Sequence, residues 1–282
     1  MLILIVGGTL FCCLLMWSIF RQGDSTTNLP DSSTTMPSEA SQDGPTIEPL
    51  TTDAAITKAR TLVNARSADD LRGLIRPGKI SAERAVQVLH DLSIDEGAPQ
   101  SPRWVGSIDS LMRPLEAVLV PYTDGRGRLV IFTPDESGKW LIDFDAFAQL
   151  SEPSLDALES GKASSGILRV IANRDTYYNG IYTDESRFAC FALRSIQSDS
   201  VIYGYCSHDS DAMAALLAIE AKAAATGTAS EDPTQIRSRI MLEVERKPES
   251  GDKQFEITRV LSDSWAKSEV ALDEMIRARG GP

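Results

Sequence analysis

Three stretches between residues 51 and 95 carry apolar side chains at helical spacing. The first places Ala55 and Ala59 on one face, with further apolar residues three and four positions along. The second and third open at Ser67 and Ser81, whose hydroxyl groups can accept hydrogen bonds from the first free N–H groups of a helix. The pattern therefore predicts three helices in this part of the chain.

From residue 103 onward, short runs rich in Val, Ile, Leu and aromatic residues replace the helical period. Segments 124–127 and 135–138, each with Asp and Gly, separate the later runs and are typical of hairpin turns. The predicted strands are 103–108, 116–123, 128–134 and 139–144. Helices followed by an antiparallel sheet indicate an α+β domain, which we assign to residues 51–150.

A second pattern, of five strands and one helix, covers residues 165–265. Its predicted strands are 167–178, 187–195, 201–207, 236–246 and 254–261, and its helix is 210–225. Three strands, a helix and two strands is an order that resembles the OB fold, a five-stranded Greek-key barrel that binds oligonucleotides or oligosaccharides. An α+β sandwich with the same order of elements is the alternative.

The closing strand of the first domain carries another resemblance. Its sequence, Gly138-Lys139-Trp140-Leu141-Ile142-Asp143-Phe144, and the element order over residues 52–150 resemble the nuclear-transport-factor-two-like family, also called SnoaL-like or cystatin-like. The resemblance implies a cone of strands around helices, and a small-molecule binder or isomerase that uses an Asp and a His. Asp143 matches only a common strand position and His90 lies on a predicted helix, so neither is assigned a catalytic role. Asp143 is the candidate for a ligand pocket, and Asp145 would lie on the same face of the strand.

The chain begins with twenty residues, from Met1 to Phe20, that carry no charged side chain. As a helix they would span about 30 Å, the thickness of a bilayer core, so they predict a transmembrane anchor. A cleaved signal peptide is the rival interpretation, but it would have a shorter apolar region and an A-x-A-like site, which the sequence lacks. Lipidation at Cys12 or Cys13 is disfavoured, because no small residue precedes either cysteine.

The next segment, residues 21–50, is rich in Ser, Thr and Pro and has few large apolar groups. It cannot bury enough surface to offset the entropy of ordering its backbone, so we expect a disordered tether. Arg21 alone favours a cytoplasmic C-terminal side, whereas the acidic remainder carries no basic retention signal. We expect a single-pass protein of the bacterial inner membrane with its C-terminal body in the periplasm.

The predicted layout has six parts. They are an anchor (1–20), a disordered linker (21–50), a cone-like α+β domain (51–150), a linker (151–164), an OB-like module (165–265) and a C-terminal helix and tail (266–282). The anchor, the Trp-Leu-Ile-Asp-Phe ending and the later Arg-Val, Tyr-Tyr-Asn and Asp-Glu motifs together resemble uncharacterised envelope proteins of the Planctomycetes and Verrucomicrobia type. That resemblance implies a location and an architecture but no activity.

Charge and motif content exclude several functions. With 28 Lys and Arg against 40 Asp and Glu, the chain has a formal net charge of -12 and a pI near 4.7. Phosphate backbones repel such a chain, so nucleic acid is an unfavourable partner. Only two histidines are present, and the P-loop, H-E-x-x-H, G-x-S-x-G and C-x-x-C motifs are absent, so we expect no metal and no cofactor. The run 207–210, Ser-His-Asp-Ser, is interpreted as a turn and helix cap.

Cys190 and Cys206 fall on two neighbouring predicted strands. If the hairpin is centred on Ser198, the two cysteines face each other, with Cβ atoms about 4.5 to 5.5 Å apart. We therefore hypothesise a disulfide, which would fit an oxidising compartment. A shift of one residue in register would place them on opposite faces and leave two buried thiols.

Aromatic residues of the second module are the candidates for a binding face. We single out Phe191, Tyr203 and Tyr205, and interpret residues 177–180, Tyr-Tyr-Asn-Gly, as a strand end and a turn. Residues 165–265 carry a net charge of -4, from 11 basic and 15 acidic side chains, which does not suit a single-strand binder.

The expected function is a non-enzymatic, membrane-tethered binding or scaffold protein whose partner is another protein. One alternative is a small-ligand binder or isomerase-like enzyme that uses a pocket near Asp143. The other is glycan or single-strand binding by the OB-like module, which requires a solvent-facing aromatic stripe that includes Tyr203 or Tyr205.

Overall fold

Two β-sheets, of four and five strands, organise the mixed α+β part of the chain that the structure describes. The computed structural model describes residues 47–195, 200–226 and 238–280. The elements up to the end of the first module are α1 (Thr52–Asn64), α2 (Ala68–Leu71), α3 (Ala82–Asp95), β1 (Arg103–Ile108), β2 (Leu115–Pro121), β3 (Gly127–Pro134), β4 (Trp140–Ile142) and α4 (Phe144–Phe147). The short helix α5 (Leu155–Glu159) follows them and packs on the core of the second sheet through Leu155 and Leu158. The elements around the second are β5 (Ser165–Asp175), β6 (Phe188–Arg194), β7 (Val201–Ser207), α6 (Asp211–Ala225), β8 (Ser238–Glu245), β9 (Gln254–Ser262) and α7 (Leu272–Ala278).

The first sheet is an antiparallel meander, β1-β2-β3-β4, covered on one face by helices. Thr51 and Ser81 cap α1 and α3 through their side-chain oxygens, which accept the N–H groups of residues 54 and 84. The apolar stripe of α1 then packs on the sheet, where Val118 and Phe132 are fully buried. The three predicted helices and the α+β class are confirmed.

The closing strand is shorter than the sequence predicted. Strand β4 ends at Ile142, and Asp143 is the N-cap of α4, with its Oδ1 atom accepting the N–H of Ala146 at 2.9 Å. Asp145 lies inside that short helix. The prediction that Asp143 and Asp145 share one face of a strand is therefore wrong, because the chain turns into a helix at the first of them.

The second sheet closes into a barrel with the strand order β5-β6-β7-β9-β8. All neighbouring strands pair antiparallel except β7 and β9, which pair in parallel over three residues of each strand. Helix α6 connects the third strand to the fourth, and its apolar side chains join the barrel core. The observed bounds of all six elements lie within three residues of the predicted ones.

The hairpin between β6 and β7 pairs Cys190 with Tyr205 and Ala189 with Cys206. This register differs by one residue from the predicted one, so the two cysteines point to opposite faces of the sheet. Both thiols are buried and free. The predicted disulfide is therefore wrong.

The segment after β9 joins the barrel to the first sheet. Trp265 is buried between them and donates its indole N–H to the carbonyl oxygen of Val170 at 3.0 Å. Asp263 accepts the backbone N–H of Leu111 at 2.6 Å. Because these contacts come from the C-terminal end of the barrel, residues distant in sequence hold the two sheets together.

The predicted anchor, residues 1–20, and residues 21–46 of the predicted linker lie outside the described residues. Within the described ranges, no helix has both the length and the apolar character needed to cross a bilayer.

Candidate binding groove on the barrel

A groove of about 430 Å³ opens on the barrel between the β5–β6 loop and the β8–β9 loop. We call it the tyrosine groove. Its lining residues are Tyr177, Asn179, Gly180, Tyr203 and residues 249–254. Strand β7 provides one wall through Tyr203, and the two loops provide the others.

Two stacked tyrosines form the apolar surface of the tyrosine groove. The rings of Tyr177 and Tyr203 have centroids 4.2 Å apart and planes 27° apart. Tyr177 is 41% exposed, and Tyr203 is half-buried. The pair therefore presents a flat aromatic platform with phenol hydroxyl groups beside it.

Buried polar contacts beneath the platform hold the β5–β6 loop in place. The hydroxyl of Tyr205 donates to the carbonyl oxygen of Tyr177 at 2.6 Å. The side-chain amide of Gln254 donates to the Tyr205 hydroxyl at 3.1 Å and to the carbonyl oxygen of Asn179 at 2.8 Å. Burial raises the pKa of Tyr205, which keeps its hydroxyl protonated and able to donate. The groove is thus formed in advance of any ligand.

A second ring stack supports the same loop from inside. Tyr182 is buried and lies parallel to Tyr205, with centroids 4.1 Å apart and planes 2° apart. The rings of Phe188 and Tyr182 are nearly perpendicular, with planes 88° apart and centroids 5.1 Å apart. The exposed platform therefore rests on a packed aromatic layer.

The rim of the tyrosine groove has no surplus of positive charge. Lys253 forms an ion pair with Glu159 at 2.6 Å, while Glu249 and Asp252 bring two carboxylates. Asp252 is 3.5 Å from the guanidinium of Arg246, and its side chain is almost fully exposed. Phosphate groups would meet a surface that does not attract them.

Of the three predicted binding-face residues, only Tyr203 lines the groove. Tyr205 is fully buried in the aromatic layer. Phe191 is 3% exposed and belongs to the barrel core, with the guanidinium of Arg174 over its ring at 4.6 Å. Alternation along the strands explains the position of Phe191, which faces the interior from β6. Tyr205 shares the face of Tyr203 on β7, but the ring of Tyr182 covers it.

Asp143, the predicted pocket residue, has a structural position. It is 4% exposed, and besides the cap to Ala146 its Oδ2 atom accepts the backbone N–H of Lys267 at 2.8 Å. The carboxylate therefore faces backbone groups rather than an open pocket. The helix-facing side of the first sheet is filled by its own side chains, among them Phe132 and Phe147.

The two cysteines are poor nucleophiles in this environment. Burial raises the pKa of Cys190 to about 12 and that of Cys206 to about 11. Cys190 donates to the carbonyl oxygen of Tyr177 at 3.4 Å, so it supports the floor of the tyrosine groove. At neutral pH both thiols stay protonated.

Sequence reasoning did not assign Tyr177, Asn179 and Gly180 to a site. The Tyr-Tyr-Asn-Gly run was predicted to be a strand end and a turn, but β5 ends at Asp175, and the run lies in the following loop, which turns at Gly180 and forms one wall of the groove. The sequence of residues 249–254 gave no indication of a site, because only barrel closure brings the two loops together.

Comparisons of the chain with protein-family models, curated proteins and solved structures found no match. A function for this chain can therefore be proposed only from the geometry and chemistry of the groove.

Proposed function

We propose that this chain is a membrane-tethered, extracytoplasmic binding protein without enzymatic activity, and that its barrel binds an uncharged glycan in the tyrosine groove. The observation that carries the proposal is the exposed ring of Tyr177 stacked on Tyr203 above a fixed loop. The anchor and the export of the body remain predictions from the sequence.

The chemistry of the groove suits a sugar. A sugar ring has an apolar C–H face, which can lie on a tyrosine platform, and a rim of hydroxyl groups. Glu249 and Asp252 supply carboxylate oxygens that accept hydrogen bonds from such hydroxyls. A volume of about 430 Å³ is within the usual range for small-ligand sites.

The position of the groove supports an OB-type assignment for the barrel. It lies against the third strand, between the loop that joins strands one and two and the loop that joins strands four and five. OB folds bind oligonucleotides and oligosaccharides on the corresponding face. The acidic rim favours the uncharged ligand of the two, since single-stranded nucleic acid needs a positive groove.

The contacts of Asp143 support the absence of catalysis in the first module. Both of its oxygens accept backbone N–H groups, so the carboxylate is not available as a general base. The isomerase-like alternative would require a substrate to displace one of these bonds.

The test uses the full-length chain in a detergent that has no sugar headgroup. Isothermal titration calorimetry would compare neutral oligosaccharides, a sulfated polysaccharide and a twelve-residue thymidine oligonucleotide. We expect binding of at least one neutral oligosaccharide and no measurable binding of the two polyanions. Equal or tighter binding of the oligonucleotide, or no binding by any neutral oligosaccharide, would overturn the proposal.

Two substitutions in the β5–β6 loop test whether a bound glycan occupies the tyrosine groove. Tyr177→Ala removes the exposed half of the platform, and we expect at least a tenfold loss of affinity. Ile181→Ala is the matched control, because Ile181 is 40% exposed in the same loop but does not line the groove. Equal effects of the two changes would place the ligand elsewhere. Binding of a co-purified protein that Tyr177→Ala abolishes, with no glycan bound, would favour a protein partner instead.

A further inference from the structure

A second pocket lies where the first module meets the barrel, and it shares no lining residue with the tyrosine groove. It encloses about 160 Å³. We call it the junction pocket. Its lining residues are Lys79, Ile80, Asp145, Leu150, Ser151, Glu152, Ile167 and Arg169. Helix α4 supplies Asp145, and strand β5 supplies Ile167 and Arg169.

The side chain of Asp145 is a buried carboxylate with few hydrogen-bond donors around it. The residue is 5% exposed, and its Oδ1 atom is fully buried against Gly78 and accepts no hydrogen bond from the described residues, so a ligand can reach only the Oδ2 atom. Its Oδ2 atom accepts the backbone N–H of Lys79 at 3.4 Å, a long distance for such a bond. A buried carboxylate normally has several donors around it, so this one has capacity left for a cationic group.

Arg169 brings a buried guanidinium on the barrel side. The residue is 5% exposed, and burial lowers the pKa of its guanidinium, although arginine stays charged. Its Nε atom donates to the carbonyl oxygen of Trp265 at 2.9 Å, and its Nη1 atom donates to that of Leu150 at 2.5 Å. Its Nη2 atom donates to none of the described residues, so both N–H groups of that atom remain for an anionic group.

A second pair of opposite charges stands at the mouth of the junction pocket. The ammonium of Lys79 contacts the carboxylate of Glu152, and their side chains are 46% and 64% exposed. The pocket therefore has two cationic and two anionic residues in its lining, one of each sign buried and one of each sign at the entrance. Three aliphatic side chains, Ile80, Leu150 and Ile167, complete the wall.

We propose that the junction pocket binds a small zwitterion, a free α-amino acid with an aliphatic side chain. The carboxylate of the ligand would pair with Arg169 and its ammonium with Asp145, while its side chain would contact the aliphatic wall. Arg169 lies within electrostatic reach of Asp143 and Asp145, so a simple anion at Arg169 would be repelled by these carboxylates, and a simple cation at Asp145 would be repelled by Arg169. A zwitterion satisfies both groups with one molecule and no net charge.

The volume limits the ligand further. At roughly 30 Å³ for each water, the junction pocket holds about five waters or one small amino acid, and a peptide or a nucleotide is too large. The inference is independent of glycan binding, because the two pockets share no residue.

The first experiment is calorimetry on the full-length chain with three ligands of similar shape. Leucine has both charges, 3-methylbutylamine lacks the carboxylate, and 4-methylpentanoate lacks the ammonium. We expect leucine to bind at least tenfold more tightly than either analogue. Equal binding of one analogue would show that a single charge is recognised, and no heat with leucine would show a pocket filled by water. Either result overturns the proposal.

Two substitutions locate the binding in the junction pocket. We expect Asp145→Asn to weaken leucine binding at least tenfold and to bring its affinity close to that of 4-methylpentanoate. If that variant fails to fold, Lys79→Met at the exposed mouth replaces it, with an expected loss of at least threefold. Lys139→Met is the matched control, since Lys139 is an exposed lysine of the same module outside the pocket. Leucine binding that all of the folded variants retain would overturn the assignment.

Discussion

The carboxylate of Asp143 accepts the backbone N–H of Lys267 at 2.8 Å, across 124 residues of sequence. Its other oxygen caps helix α4. One side chain thus ends the first sheet and also holds the segment that follows the barrel. Trp265, two residues before Lys267, lies buried in the same interface, so this contact sits at the centre of the connection between the modules.

We expect Asp143→Ala to lower the free energy of unfolding by about 2 to 4 kcal/mol. The change leaves the buried N–H of Ala146 and the partly buried N–H of Lys267 without acceptors, and the loss of a buried partner costs about 1 to 3 kcal/mol. Urea denaturation followed by tryptophan fluorescence measures the effect. Asp209→Ala, at an exposed position, is the control and should change stability by less than about 0.5 kcal/mol. Equal stability of the two variants would contradict the dual role of Asp143.

Gly180→Ala should disrupt the tyrosine groove in two ways, through strain at a positive φ angle and through a clash with a neighbouring side chain. Gly180 has φ of 60°, and a Cβ atom there would lie 2.7 Å from Oε1 of Gln254, the residue that holds the loop. Gly161→Ala is a matched control, because Gly161 has φ of 73° but open space around its Cβ position. In both variants the left-handed conformation should lower the free energy of unfolding by about 1 kcal/mol.

The comparison of these two glycine variants uses thermal unfolding together with glycan titration. We expect Gly180→Ala to reduce glycan affinity at least fivefold and Gly161→Ala to leave it unchanged. Similar stability and affinity in the two variants would mean that the Gln254 contact does not hold the groove in shape.

Local patterns were sufficient to predict most of the secondary structure. Ser67 and Ser81 indicated helix starts, and the Val- and Ile-rich runs indicated strands, because both signals depend on neighbours in sequence. The end of β4 was missed although Asp143 is a good N-cap residue. An apolar run followed by Asp-Phe-Asp fits a strand and a helix start equally well, and only the fold decides between them.

Long-range relationships could not be read in the same way. The Cys190 prediction assumed a hairpin centred on Ser198, whereas the observed register is shifted by one residue and pairs Cys190 with Tyr205. The tyrosine groove depends on two loops that barrel closure brings together, and the junction pocket depends on packing between α4 and β5. Each requires contacts between residues that are distant along the chain.

The free thiols should make the protein less stable at alkaline pH. The folded-state pKa values of Cys190 and Cys206, about 12 and about 11, lie above the ordinary value of 9.0. The contribution of the two protonated thiols to the free energy of unfolding is therefore complete below pH 9. It is lost as the pH rises toward 11 and 12, at up to about 1.4 kcal/mol per pH unit for each thiol. The double variant Cys190→Ala, Cys206→Ala should show a shallower decrease between pH 9 and 11 in urea denaturation. Identical slopes would contradict this account, as would a thiol assay that finds no free thiol in unfolded, unreduced protein.

The last prediction concerns the buried ion pair between Glu96 and Arg128 in the first module. Their side chains are 4% and 3% exposed, and the guanidinium donates to both carboxylate oxygens and to the carbonyl oxygen of Phe147. Glu96→Leu alone leaves a buried cation without an anionic partner and should cost about 3 to 5 kcal/mol. Adding Arg128→Met removes that cation, so the double variant should recover most of the loss. Glu136→Leu, at an exposed position, controls for the loss of an acidic side chain. Additive losses in the double variant would show that the two residues act separately, because a coupled pair removed together cannot cost the sum of its parts.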